Sequence, residues 1–592
     1  MLYRFLLFLL FPVATAPLHA GKQLLSVSYP DIADTEVQAE SIFGLSAQQG
    51  ALPFRIKIRN NSGKDRTWTV SLREGSYGRT LATEWQGKFT VESGTEVVHD
   101  VTVPFPPKFA SYSYRNLEAT FNSPGLEPVK RSHSYQMNNG FPVLAMSQSL
   151  SARSLANLNN ILKKKNSNIQ RFAESFDPPL LPGDWKGYTG LDGLLIDLRS
   201  WKELRAAPKK AILEWLRLGG TLYVFASTKD FPDSNLNDLE IEGLKAAPDH
   251  PHAGKLSLGE IKLRRWNGIE LSSGIETVFE NASSPGYRLE DDFGEKWPLG
   301  ERLGTKPFNA ILIFGILLVF AILVAPVNLF FLAGKGKRHR LFVTTPIISV
   351  AACLIIVLMI LIGDGLGGNG YRIAFVDLQS GNNERRFFVS QEQVSRTGVI
   401  VNTGFESEKD LLIEPVKLER NPFSALDHRS GQTTNFIFSG RQFMGGFFRS
   451  RAQQGYVVRN AESTRARIEQ QSENKESNTP TLVSSLPSSI TRFYYRDAGG
   501  NIWTSASQGE TPPGGTIQLT SASEEDFDSF ISQQLSLFSN TQRNQIRNLS
   551  TEDGRFFAIP SDPASYLLET HPGIRWSDDH VLLSGNIQTS AP

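Results

Sequence analysis

The sequence predicts a multidomain membrane protein. The expected parts are an N-terminal β-sandwich, an α/β domain on a parallel sheet, two transmembrane helices and a C-terminal mainly-β region. Three observations carry this. Residues 308–334 and 341–363 run for 27 and 23 residues without a charge, more than the ~20 needed to cross a bilayer core at ~1.5 Å per residue. Residues 54–103 alternate apolar and polar in short runs broken by turns. Residues 142–226 instead alternate apolar strands with helical spacing. The 592 residues leave room for three or four domains at ~100–200 residues each. Lys and Arg number 61 against 60 Asp and Glu, so a strongly basic nucleic-acid binder is not expected. A hydrophobic share of 40% excludes an acidic disordered chain. The single cysteine, Cys353, allows no intrachain disulfide and no Cys-rich metal site. It lies within the second apolar run and is a poor nucleophile.

Residues 1–20 read as a signal peptide. Arg4 supplies the charge, residues 5–16 the short apolar core, and Leu18-His19-Ala20 a small-residue cleavage site before Gly21. An uncleaved N-terminal anchor is the alternative.

Residues 21–139 form the expected β-sandwich domain. Phe54-Arg55-Ile56-Lys57-Ile58-Arg59 alternates, Asn60-Asn61-Ser62-Gly63 turns, and residues 67–72, 88–91 and 97–103 repeat the scheme. Trp68 and Phe54 are expected in the core; a sugar-binding platform is the alternative. Asn60-Asn61-Ser62 fits an N-glycosylation acceptor, which matters only in a eukaryotic secretory route.

Residues 140–300 form the expected α/β domain. Short apolar strands at 142–146, 191–198 and 221–226 flank helical spacing at 151–165 and at 208–218, where Pro208 opens a helix and Gly219-Gly220 ends it. Strand–helix–strand order implies a parallel sheet with right-handed crossovers. The segment from Leu191-Asp192-Gly193-Leu194-Leu195-Ile196-Asp197 through Ile212-Leu213-Glu214-Trp215-Leu216 to Gly219-Gly220-Thr221-Leu222-Tyr223-Val224 resembles class I glutamine amidotransferase-like domains. More particularly it is similar to the non-catalytic versions in bacterial membrane proteins. Catalytic members imply a cysteine nucleophile with a histidine partner, and this region has no cysteine. No Gly-x-Ser-x-Gly elbow replaces it, so no catalytic residue is assigned.

Such sheets bind ligands at the C-terminal ends of their strands. Ser147, Gln148, Asp197, Arg199 and Ser227 are expected there as a polar rim, for a ligand or as helix caps and a solvated edge. Asp249-His250-Pro251-His252 reads as a Pro-rich loop with no third ligand nearby. No metal, no cofactor and no phosphate-binding Gly-rich loop are expected.

The two uncharged runs are expected to span the membrane as helices over 308–333 and 341–363. Between them, residues 334–340 carry Lys335, Lys337, Arg338 and Arg340. That density of positive charge sets the loop on the cytoplasmic side. With the signal peptide it predicts N- and C-terminal domains that are extracytoplasmic; the resemblance to bacterial membrane proteins implies the bacterial inner membrane. Pro326 should kink the first helix. Asn328 needs a partner across the hairpin, with Thr344, Thr345 and Pro346 facing it, or on another membrane protein. Neither run contains Asp, Glu, Lys, Arg or His, which argues against a transporter.

Residues 364–592 read as mainly β, with one amphipathic helix over 527–538. Arg441, Arg449, Arg451, Arg459, Arg465 and Arg467 interleave with Phe443, Phe447, Phe448 and Tyr456. This is either an anionic-partner or membrane-surface patch or a strand pair with solvated Arg faces. Residues 463–489 read as an exposed linker. The whole layout resembles a group of uncharacterised bacterial envelope proteins, most clearly over Ala325-Pro326-Val327-Asn328 and Lys337-Arg338-His339-Arg340 to Thr344-Thr345-Pro346. The resemblance implies topology more than activity. The expectation is a non-enzymatic scaffold or subunit of an envelope complex, with the bilayer and other membrane proteins as partners. The alternatives are a ligand- or glycan-binding sensor using the α/β domain, and an unrecognised hydrolase.

Overall fold

A computed structural model of the chain describes residues 24–589, apart from 77–80, 106–113, 137–142, 156–172, 267–291, 305–309, 381–383, 419–433, 472–478 and scattered stretches of one to three residues. The expected signal peptide, most of the expected 151–165 helix, Asp249 and Lys335 lie outside the described residues.

The first region contributes β1 (Leu24–Ser28), β2 (Glu36–Ser41), β3 (Ala51–Asn60), β4 (Arg66–Ser76), β5 (Leu81–Val91), β6 (Thr95–Pro104), β7 (Tyr114–Asn122) and β8 (Val129–Gln136). Strands β1-β2-β3-β6 form one antiparallel sheet. The alternation in β3 sends Ile56 and Ile58 into the core. Arg55 and Lys57 on its other face pair with Asp100 and Glu96 of β6. A second sheet contains β5-β4-β7-β8. Trp68, Val70, Leu117 and Phe121 from it share one core with Leu25, Val37 and Phe54 from the first sheet. Tyr29 and Trp68 meet across this core with ring centroids 5.2 Å apart.

Next come β9 (Leu144–Ser147), β10 (Ala173–Phe176), β11 (Gly193–Asp197), α1 (Leu198–Glu203), α2 (Ala206–Arg217), β12 (Thr221–Ser227), β13 (Lys245–Ala247), β14 (His250–Leu256) and β15 (Gly259–Trp266). The sheet order is β10-β9-β11-β12-β15-β14-β13. Its first five strands are parallel, and the β15-β14-β13 edge is antiparallel. α2 buries Ala211, Ile212, Trp215 and Leu216. At Gly220 an added Cβ would lie 2.4 Å from the Trp215 ring, so only glycine lets the chain turn tightly beneath it. His250-Pro251-His252 lies in strand β14, not in the expected loop. The register with β13 shifts at Ala246/Ala247, and such a bulge tolerates a proline.

The chain then forms α3 (Pro298–Leu303), α4 (Ala310–Ile322), a π-helical run over Leu323–Leu332, a 3-10 turn at Arg338–Arg340, and α5 (Leu341–Asp364). The π-helical run contains Pro326. With no N–H to donate and a ring that clashes with the preceding turn, proline widens the helix rather than ending it. Phe314–Leu332 and Arg338–Met359 are long and apolar enough to cross a membrane, and almost none of either is buried against the body.

The remaining elements are β16 (Gly368–Ser380), β17 (Arg385–Thr397), β18 (Phe405–Glu406), β19 (Leu412–Val416), β20 (Thr434–Ser439), β21 (Gln442–Gly445), β22 (Gln453–Ser463), β23 (Ile468–Gln470), β24 (Thr481–Ser484), β25 (Ile490–Arg496), β26 (Ile502–Ser505), β27 (Thr516–Ser521), α6 (Glu524–Leu535), α7 (Asn540–Ser550), β28 (Arg555–Pro560), β29 (Ile574–Asn586) and β30 (Gln588–Thr589). Twelve strands form one sheet, ordered β19-β22-β17-β16-β29-β28-β25-β26-β27-β24-β23-β30. Two helices stand where one was expected. α7 buries Ile546 and Leu549, a stripe too sparse to read against its polar surroundings. The expected linker at 463–489 contains β23 and β24, whose Ile468 and Leu482 are fully buried.

The boundary expected at residue 364 is crossed by a sheet. β18-β21-β20 continue the first region's second sheet, and β20 pairs in parallel with β5. Phe405, Phe436, Phe438, Phe443 and Phe447 form a buried aromatic cluster behind them. The physical reason is that β5 has backbone donors and acceptors on the side away from β4 that need a partner. Among the described residues its own region supplies none.

Ion pairs join the α/β region to the twelve-stranded sheet. Asp377 and Arg555 are both buried, with Arg555 Nη1 2.7 Å from Asp377 Oδ1. Ser257, in the β14–β15 turn, donates its hydroxyl to Asp377. Around this centre Lys245 Nζ donates to the Asp553 carbonyl at 2.5 Å, Lys210 pairs with Glu384 at 2.5 Å, and Arg386 pairs with Glu214. The Asp377→Asn variant should lose about 3 kcal/mol of stability, because Arg555 stays buried without its main countercharge. Heat- or urea-induced unfolding of the solubilised chain measures it; a loss under about 1 kcal/mol would show that this buried pair within the sheet contributes little to stability.

Candidate functional site

The parallel sheet presents its strand C-termini where β9 leads into Gln148 and β11 into α1. Asp197 is buried and caps α1, accepting the Ser200 backbone N–H at 2.9 Å. Its other oxygen accepts Ser147 Oγ at 3.2 Å and the Ser149 hydroxyl. Burial pushes this carboxyl up, but the bonds from Ser149, Ser200 and Ser147 outweigh it and hold it below the usual carboxylate range. The group is therefore a fixed anion that ties two strand ends together. Next to this network Ser151 Oγ donates to the Gln148 carbonyl at 3.2 Å and lies 2.7 Å from Ser175 Oγ.

The five expected rim residues divide. Ser147 and Asp197 meet in this buried network. Gln148 is exposed and lines a cleft of about 480 Å³ with Ser149, Asp177, Ser200, Glu203 and Arg205. Arg199 is exposed and pairs with Glu203 one turn on, Nε to Oε1 at 2.9 Å. Ser227 ends β12, paired in register with Trp266, and does not line the cleft. The sequence reading missed Ser149 and Ser200. The signal was there in Ser147-Gln148-Ser149, two hydroxyls two residues apart at a strand end, and in a serine three residues after a helix-capping Asp.

The hairpin has a polar centre. Asn328 is fully buried. Its Nδ2 donates to Thr345 Oγ1 at 2.8 Å, and Thr344 Oγ1 donates to its Oδ1 at 2.6 Å. The widened backbone around Pro326 presents Asn328 to the first turns of α5, where Pro346 lies. Both ends of the amide are thus satisfied within the hairpin. Lys337, Arg338 and Arg340 are exposed at the turn.

The segment that leads to the hairpin is fastened to the twelve-stranded sheet. Arg396 of β17 donates to the Leu303 carbonyl at 3.0 Å, at the end of α3. Trp297, just before α3, donates its indole N–H to Glu392 of β17 at 2.8 Å. Glu392 also accepts Ser539 Oγ at 2.5 Å and the Ser539 N–H, at the start of α7. Complete burial pushes the Glu392 carboxyl up to about 7 despite these donors, with Asp292 adding to the rise. Glu392 was not singled out from sequence, because a Glu between Gln391 and Gln393 reads as a solvated strand.

The arginine–aromatic stretch 441–467 is not an aromatic surface. Phe443, Phe447, Phe448 and Tyr456 are buried, and Arg459 pairs with Glu414. The His252 ring lies 4.7 Å from the Phe231 ring at a tilt of 37°. Among the described residues no group of three His, Cys, Asp or Glu side chains gathers as a metal site.

No family model matches the chain, and no curated protein matches it. Solved structures give faint local similarity. Red sea bream transglutaminase is 9% identical at a TM-score of 0.13, covering 19% of this chain and 18% of its own. A calcium-binding mutant of Bacteroides uniformis β-glucuronidase 2 is 10% identical at 0.15, covering 35% and 23%. Parabacteroides merdae β-glucuronidase is 8% identical at 0.15, covering 93% and 77%. The chain thus spans about a fifth of the first two, and scores this low mark no shared fold.

Two measurements test these interactions. Glu392 has a folded pKa near 7 against an unfolded value of about 4.3. Its stabilising effect is present below the unfolded value and lost as pH rises through about 7. Unfolding free energy should therefore fall across that window, by an amount on the order of 3 kcal/mol, and Glu392→Gln should flatten the fall. An unchanged pH profile in the variant would remove Glu392 as the cause. In a Cys353→Ala background, spin labels at the outward-facing Phe331 and Phe342 should show a narrow distance distribution. Asn328→Leu should broaden it, through loss of about 1 kcal/mol of interhelical bonding; an unbroadened distribution would show that other packing holds the hairpin.

Proposed function

We propose that this chain is a non-enzymatic bacterial inner-membrane protein that acts as a scaffold or subunit of an envelope complex. Its hairpin spans the bilayer twice, the basic turn faces the cytoplasm, and the folded parts on either side of the hairpin are extracytoplasmic. The observation that carries this reading is the join between hairpin and body. Two bare apolar helices leave and re-enter one folded unit, and strands from before and after them share a sheet. Parts that share a sheet must lie on the same side of a membrane, which requires an even number of crossings between them. The Lys337, Arg338 and Arg340 turn adds the positive-inside signal.

A body built from interlocked sheets gives a rigid platform, and the hairpin's polar groups are already paired. That leaves the outer apolar faces of both helices to pack against lipid or neighbouring helices. The α/β unit, read as a non-catalytic relative of glutamine amidotransferase-like domains, would serve as a binding module. The cleft at its strand ends favours a second reading, a sensor that holds a small ligand or glycan there.

Cross-linking in native membranes, mild solubilisation and identification of what co-purifies tests the first reading. A stoichiometric partner is expected with the wild-type chain and should be lost from an Asn328→Leu, Pro326→Leu version. No partner in either sample would sink the scaffold reading and leave the cleft as the place to look.

A further inference from the structure

Among the described residues outside the hairpin, three large apolar side chains stand well exposed: Val98, Leu366 and Val401. The last two belong to one small structure at the end of α5. The α5 helix stops at Gly365, which takes a left-handed φ of +77°. The neighbouring loop is then stitched to this exit. The Val399 N–H donates to the Gly365 carbonyl at 2.9 Å, the Gly367 N–H to the Val399 carbonyl at 3.0 Å, and the Gly398 N–H to the Gly367 carbonyl at 2.7 Å. Val401 lies two residues beyond and is 97% exposed; Leu366 is 77% exposed.

The exposure is not that of a slack loop. Ile400 is buried, and its N–H donates to Ser450 Oγ at 2.9 Å while that hydroxyl donates back to the Ile400 carbonyl at 2.8 Å. The Asn402 carbonyl lies 2.7 Å from His571 Nε2. The Phe448 N–H donates to the Thr403 carbonyl at 3.0 Å. Val401 is therefore held outward between two fixed points, at the cost of solvating an apolar side chain. The backbones of two arginines brace the same loop. The Arg451 N–H donates to the Gly398 carbonyl at 2.8 Å, and Arg449 accepts the Thr397 hydroxyl through its carbonyl. Arg575 is exposed on β29, opposite Asn369 just past the exit.

We propose that Leu366 and Val401 form an interfacial foot that sits in the headgroup layer of the bilayer holding the hairpin, with the exposed Arg575 beside the exit meeting anionic lipid phosphate. This rests on the membrane reading above. If the uncharged run 341–363 fills the hydrocarbon core, the stitched exit at 365–367 falls at headgroup depth, and residue 401 is fixed beside it. Apolar side chains with an arginine close by suit that layer, where the first reach the acyl boundary and the second meets phosphate. Two side chains are too small a surface for a stable protein partner, so the lipid surface is the occupant. The foot gives the body a third contact with the membrane and fixes its tilt.

The full-length chain, Cys353→Ala with a single cysteine added, tests this in nanodiscs of mixed phosphatidylcholine and phosphatidylglycerol. An environment-sensitive fluorophore is placed by Val401→Cys, by Val357→Cys within α5, or by Val98→Cys on the body. Spin-labelled lipids then report depth. The expected result is a blue-shifted emission and strong quenching at 401, quenched most by labels near the headgroup, deeper quenching at 357 and none at 98. Quenching at 357 with 401 behaving like 98 would overturn the foot while leaving the hairpin in the membrane. No quenching at 357 would overturn the membrane reading, and the foot with it.

Discussion

The buried pair of Asp377 and Arg555 is the interaction on which the architecture turns. A guanidinium and a carboxylate removed from water are costly unless each is fully partnered. Here Arg555 also meets Ser584 and Glu552, and Asp377 also accepts from Gln379 and Ser257. Ser257 comes from the α/β region, while the other partners belong to the twelve-stranded sheet. The charge cluster is complete only when the two units are docked. That makes the seam specific in orientation as well as favourable, since a displaced α/β unit would strand Asp377 with a missing donor.

Around that centre the weaker ion pairs act differently. Lys210 with Glu384 and Lys186 with Asp410 involve half-exposed or exposed partners. Exposed pairs contribute little to stability. Their value is in register, because each matches a helix or turn of the α/β unit to one edge of the C-terminal region. The parallel pairing of β20 with β5 adds a backbone tie between the first and last thirds of the chain. Three regions that are separate in sequence are therefore bound by different means. One seam is ionic, one is a shared sheet, and the first region meets the α/β unit in a continuous apolar core that includes Phe43, Phe176 and Tyr188.

The hairpin follows the opposite logic. Its uncharged runs carry no Asp, Glu, Lys, Arg or His, and the buried amide of Asn328 is answered by two hydroxyls. It depends on the body only at its ends, where Arg396 and Trp297 hold the approach and the Gly365–Val399 bonds hold the exit. Bonds on either side of the two apolar helices thus tie them to the same sheet. Glu392 links Trp297 to the start of α7.

Much of this was legible in the residues alone. Uncharged runs of 27 and 23 residues announce two apolar helices whatever surrounds them, because length and transfer energy are local properties. The alternation in β3 and the helical spacing of Ile212, Trp215 and Leu216 likewise fixed strand and helix, since period follows from backbone geometry. Asp197 was placed at a strand end for the same reason. Tertiary structure decided the rest. That β20 completes the sheet of β5, that Ser149 and Ser200 gather on Asp197, and that Asp377 and Glu392 are buried rather than solvated depend on segments far apart in sequence. Pairing and burial at such distances are set by which backbone edges and side-chain charges are left unsatisfied after local structure forms, and no local pattern records them.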